Sequence, residues 1–140
     1  MKLPGDRRNP ARAALAALGE PAHVLQLYLG LQQADGSPVT DAQRDIVRRQ
    51  VAQRFGAYST HEGRGRWRDD KTRKLFSEPS EVFTIVRPEA AIKCARLKGT
   101  GRNAAKAIAL SANQFAVLVV TTCADGKVDS ELVQSNRETL

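Results

Sequence analysis

The chain has 140 residues, 41% of them hydrophobic and 26% charged, with a net charge of +7. That size gives one domain with a real core, and the ordinary composition excludes a disordered or fibrous chain. No apolar run approaches the roughly 20 residues that span a bilayer, and with aromatics at only 5% the core must be aliphatic.

The first segment, MKLPGDRRNPARAALAALGEPA, faintly resembles an export signal. Its apolar stretch is short and alanine-rich, so a short helix is the better reading. Asn9 caps it, Pro10 fits its first turn and Gly19 ends it. Residues 1–20 therefore form an N-terminal helical extension, and the cytoplasm is the expected compartment.

His23–Leu31 alternates as a strand, with Leu25, Leu27, Leu29 and Leu31 on one face and Val24, Gln26 and Tyr28 on the other. His23, at its start, reads as a surface residue. Asp35-Gly36-Ser37-Pro38 is a loop. Thr40 with Gln43 makes a capping box for a helix whose Val47, Val51 and Phe55 recur every four residues. Tyr58–Arg68 and Arg73–Arg87 are strands joined at Asp69-Asp70-Lys71-Thr72. Pro79 lacks an N–H, which implies a bulge or an edge. Pro88 opens a helix that Gly99-Thr100-Gly101 breaks, and RNAAKAIAL follows as a second helical piece. Gln114–Cys123 is the last strand, and 125–140 is an acidic C-terminal tail.

The order is β-α-β-β-α-β over residues 21–124. It predicts a ferredoxin-like α+β fold: a four-stranded antiparallel sheet with both helices on one face. The strands at Val82–Val86 and Val117–Val120 are apolar on both sides, which predicts a cover on the second face, most simply a homodimer, with the chain termini as the other candidate.

A resemblance appears in QLYLGLQQADGSPVTDAQRDIVRRQVAQRF, GRGRWRDD and EPSEVFTIVRP, carried by Tyr28, Gly30, Asp35, Gly36, Val39, Thr40, Arg54, Phe55, Gly65, Trp67 and Glu78. These stretches resemble an uncharacterised bacterial family, a domain of unknown function. The resemblance implies a ferredoxin-like fold and no known activity. The family's members are often exported, and the Gly-rich basic stretch at Gly99–Lys106 is this chain's own.

Two basic foci stand out. Residues 64–74 hold six basic and two acidic side chains, and residues 93–106 hold five basic ones. On a strand, Arg64, Arg66 and Arg68 share one face and Gly63, Gly65 and Trp67 the other. Trp67 is expected under a helix, which turns the arginines to the open face. A small non-enzymatic accessory protein follows, binding nucleic acid or a nucleoprotein complex through Arg64, Arg66, Arg68, Arg73 and Lys74, with Lys98, Arg102 and Lys106 as a second patch. KGTGRNAAK lacks the spacing of a phosphate loop.

Two alternatives stand beside it. One is a dimeric α+β barrel that binds a small ligand, or acts as an oxygenase-like enzyme, with a pocket between sheet and helices near Tyr28, His61 and Trp67. The other is a protein-interaction module or inhibitor. His61 and Glu62 point to opposite faces and cannot act as a pair. No catalytic constellation, cofactor, metal or membrane association is expected. Cys94 and Cys123 lie far apart without CxxC or Cys/His company, and read as reduced, buried thiols, with a disulfide as the minority reading.

Overall fold

The computed structural model describes residues 20–68 and 70–135, and all of their side chains except those of Trp67 and Phe76. The expected N-terminal helix lies outside the described residues.

Among the described residues, five strands and two helices follow in the order β1 (Ala22–Gly30), α1 (Asp41–Phe55), β2 (Ser59–Arg68), β3 (Leu75–Pro88), α2 (Cys94–Ser111), β4 (Ala116–Thr122) and β5 (Val128–Gln134). They form one sheet, ordered β2-β3-β1-β4-β5, and every neighbouring pair is antiparallel. This corrects the four-stranded ferredoxin-like arrangement expected from the sequence. Within the expected tail at 125–140, Val128–Gln134 is a strand, and residues 136–140 lie outside the described residues. Asp125-Gly126 turns the chain, with Gly126 at φ +92, and β5 pairs with β4 from Thr122↔Val128 to Ala116↔Gln134. The physical reason is β4 itself. An apolar strand left at an edge is an aggregation site, and an added polar strand covers it.

Thr40 and Gln43 cap α1 as a reciprocal box. Its Val47, Val51 and Phe55 pack into a core with Leu25, Leu27 and Leu29 of β1, Phe83 and Ile85 of β3, Val117 and Val119 of β4 and Val133 of β5. Alpha 2 adds Leu97, Ala104, Ala105, Ile108 and Ala109. All of these strand residues face one side of the sheet, so both helices lie on that side. No helix among the described residues is long and apolar enough to cross a membrane.

Alpha 2 is one continuous helix beginning at Cys94. The expected start at Pro88 and the break at Gly99–Gly101 are both corrected. Gly101 is there for proximity: a Cβ at that position would sit 2.7 Å from Leu25 Cδ1. The glycine lets the helix approach β1. At Pro79 the β2–β3 register continues without a bulge, at the point where β1 runs out.

Cys94 and Cys123 form a disulfide, with Cα atoms 5.7 Å apart. The expected reduced thiols are therefore corrected. The fold brings the start of α2 beside the end of β4, which a 29-residue separation in sequence could not reveal. His23 is also corrected from surface to buried. It spans the same corner: Nδ1 accepts from Ala124 N–H at 2.9 Å, leaving Nε2 to donate to Ile92 O at 3.0 Å.

Candidate functional site

The sheet has a second face, and no described element packs over it. Cross-strand partners share a face, so the register lays out its side chains in rows. One row runs His61, Val82, Tyr28, Leu118, Leu132. The next runs Ser59, Thr84, Gln26, Val120, Ser130, and a third holds Val86, Val24, Thr122, Val128. Leu118, Val86, Leu132 and Val128 are 36, 54, 64 and 65% exposed. That is far more apolar surface than a wetted face needs.

Polar groups interrupt this surface along β1. Tyr28 Oη donates to Gln26 Oε1 at 3.4 Å, and Gln26 Nε2 donates to Thr84 Oγ1 at 3.5 Å. Both bonds are at the long limit of hydrogen bonding, so the amide and the phenol keep capacity for another partner. A polar corner lies at the end of β1. Glu78 Oε1 accepts from Gln32 N–H at 3.1 Å, and Gln114 Nε2 donates to Gln32 O at 2.6 Å. A Cβ at Gly30 would lie 2.5 Å from Glu78 Oε1 and 3.0 Å from Gln114 Oε1. Glycine at 30 is what admits both side chains.

Tyr28 and His61 thus share a row, as an alternative pocket requires, with Val82 between them. They lie on the helix-free face and not between sheet and helices. Trp67 pairs with Phe76 in the β2–β3 register; both side chains lie outside the described residues. Gln26, Thr84, Glu78 and Gln114 are not among the site residues expected from the sequence, where Glu78 enters only through the family resemblance. The signal for Gln26 was available, since a glutamine between Val24 and Tyr28 interrupts an apolar alternation.

The arginines go to the opposite face. Glu62 pairs in register with Glu81, and both carboxylates meet Arg44 of α1, at 3.2 and 2.9 Å. Arg64, Arg66 and Arg68 follow Glu62 by twos, so they lie on the helix side. This corrects the expected open-face placement, which rests on a helix lying above Trp67. Here β2 and β3 run on past the end of β1 and beyond the helix layer, as a two-stranded ribbon. Arg64 donates to Ser77 Oγ at 3.0 Å. Among the described residues, Arg66, Arg68 and Arg73 have no ion-pair partner. Lys74 lies beside Arg73 in the connecting turn.

The second focus is neutralised in part. Lys98 Nζ is 2.6 Å from Asp129, and Arg102 Nη2 is 2.9 Å from Glu131, both acids on β5. Hydrogen bonding to Lys98 holds the Asp129 carboxyl below its ordinary value, and hydrogen bonding to Glu131 raises the Arg102 guanidinium above its own. Lys106 is half-buried on the same helix.

The family described as "Protein of unknown function (DUF3574)" matches residues 25–125. The chain belongs to that family. The match spans β1 to β4 and stops at the turn before β5, so it agrees with the resemblance seen in the sequence. No curated protein matches this chain. Among the solved structures that match are two of a phage SAM lyase. A phage SAM lyase in complex with S-methyl-5'-thioadenosine has 20% identity and a TM-score of 0.65, over 86% of this chain and 95% of that one. A phage SAM lyase in the apo state has 22% identity and a TM-score of 0.63, over 84% and 92%. At these identities the likeness is one of fold.

Proposed function

We propose that this protein binds a small adenine nucleoside of the S-methyl-5'-thioadenosine kind on the helix-free sheet face, which a second copy of the chain closes. The observation that carries the reading is the face itself: exposed apolar side chains surround the loosely held Gln26 amide and Tyr28 phenol. An adenine ring is flat and apolar with a polar edge. Tyr28 suits the ring face, and a glutamine amide matches an adenine edge bidentately. Gln26 and Gly30 are four residues apart on one strand, about 13 Å. That span lets the Glu78 carboxylate, lying over Gly30, accept from the ribose hydroxyls. The shared fold with a phage SAM lyase holding that nucleoside supports the choice of ligand. The four exposed apolar side chains support closure by another copy.

Calorimetric titration with S-methyl-5'-thioadenosine tests the reading, with sedimentation equilibrium for the oligomer. Saturable binding by a dimer, lost in Gln26→Ala and weakened in Tyr28→Leu, is the expected result. Absence of binding by the folded wild type would overturn the reading. Incubation with S-adenosylmethionine, followed by chromatography, reports whether turnover accompanies binding. The cytoplasm suits such a ligand, whereas Cys94–Cys123 suits an oxidising compartment, because cytosolic thiols are kept reduced. Thiol labelling of the protein directly in lysed cells decides between them.

A further inference from the structure

The β2–β3 ribbon belongs to neither the core nor the nucleoside face. The last β1 pairing is Gly30↔Ser80, and the last backbone bond from that segment is Leu31 N–H to Pro79 O. Beyond it, among the described residues, β2 and β3 pair only with each other, up to Arg68↔Leu75. Residues 64–74 carry six basic and two acidic side chains. Arg64, Arg66 and Arg68 stand on one face of this ribbon and are all exposed. Same-face residues on a strand repeat at about 6.8 Å. On that face Glu62, two residues before Arg64, is already engaged by Arg44.

An arginine row with no carboxylate partner among the described residues, on a projecting ribbon, is costly to keep without use, since like charges repel and two strands alone are marginally stable. The chemistry that fits is a line of anions at regular spacing. A two-stranded ribbon is also an element that the ~12 Å major groove of B-form DNA admits. We propose that the ribbon is an arm for duplex DNA, with Arg64, Arg66 and Arg68 seated on backbone phosphates. Three phosphate contacts release counterions and give a salt slope of about −2.7, which is roughly a forty-fold loss of affinity between 50 and 200 mM salt. The contacts are to phosphate, so the binding tracks charge and groove shape and is indifferent to sequence.

Fluorescence anisotropy with a labelled 20-base-pair duplex tests this, across a salt series. The expected result is wild-type binding with that slope. The combined Arg64→Ala, Arg66→Ala, Arg68→Ala variant loses about three units of slope and at least ten-fold affinity at 50 mM salt. Arg64→Lys, Arg66→Lys, Arg68→Lys keeps the slope, and Lys98→Ala with Arg102→Ala leaves binding unchanged. Circular dichroism confirms that each variant is folded. No binding at 50 mM salt overturns the proposal, as does equal binding by the triple alanine variant. So does a single strand bound as tightly as the duplex, or capture by phosphatidylglycerol vesicles in place of DNA. The assay uses no nucleoside, so its failure leaves the reading of the sheet face standing, and the converse holds.

Discussion

The two basic regions of this molecule carry similar charge in opposite settings. On α2, Lys98 and Arg102 each face an acidic residue of β5, and the disulfide at Cys94 ties the start of that helix to the end of β4. On the β2–β3 ribbon, Arg66 and Arg68 face no carboxylate among the described residues, and no third strand or helix braces them. The difference shows that a count of basic residues says little about binding until the partner of each is known. A strand that the sequence presents as an acidic tail folds back and neutralises one focus. It leaves the other untouched.

Arg44 and Arg48 extend the paired class to its limit. They enclose Glu81, whose side chain is 2% exposed. Arg44 reaches it through Nε and Nη2 at 3.0 and 2.9 Å, and Arg48 through Nε and Nη2 at 3.0 and 3.1 Å. Their hydrogen bonds tie α1 to β3. The hydrogen bond to Glu81 raises the Arg48 guanidinium above its ordinary value.

The comparison can be broken in graded steps. Reducing Cys94–Cys123 loosens the paired region most. A 29-residue separation makes the bond worth about 3–4 kcal/mol in chain entropy, so the melting temperature of the reduced protein should fall by about 10 °C or more. An unchanged melting curve with reductant would show the staple to be idle. Glu81→Ala comes next. It leaves two guanidiniums facing each other and should cost about 3 kcal/mol in urea unfolding, near the lower limit for a broken buried pair, because Arg48 is 40% exposed. The smallest effect on stability comes from Asp129→Asn with Glu131→Gln. Both pairs are exposed and screened by salt, so the melting curve should hardly move. The same change uncovers Lys98 and Arg102, and should steepen the salt slope of DNA binding by about two.

Acid sharpens that last case. The Asp129 carboxyl titrates below its unfolded value because of Lys98. Its contribution to stability is therefore present above the unfolded value and is lost as pH falls through the folded one. The difference in stability between wild type and Lys98→Ala should be small at pH 7 and absent once pH is well below 3.8.

Much of this fold was legible in the chain. The leucine alternation of β1 and the capping box at Thr40 are local signals, and local physics decides them. What failed was decided at a distance. Val128–Gln134 has too weak an apolar alternation to announce a strand, and only the exposed edge of β4 makes it one. Gly99 and Gly101 resemble a helix break, but Leu25 requires the second as a point of close approach. The cysteines have no motif, because their meeting is a product of topology. For the candidate sites, the sequence placed the arginines on one face but could not say which. That depended on where β1 ends relative to β3.

The position of β1 has one more consequence, in time. Among the described residues it is the first strand made, and the sheet closes on both of its sides. Val24 pairs with Val86 on one edge and with Thr122 on the other, the latter 98 residues further along the chain. At a synthesis rate of roughly 5–20 residues per second, the β4 side of the nascent strand waits about 5–20 s for its partner. During that interval one edge of an alternating leucine strand is open to any other extended chain. Emergence from the ribosome, more than the finished sheet, is where this protein is exposed to mispairing.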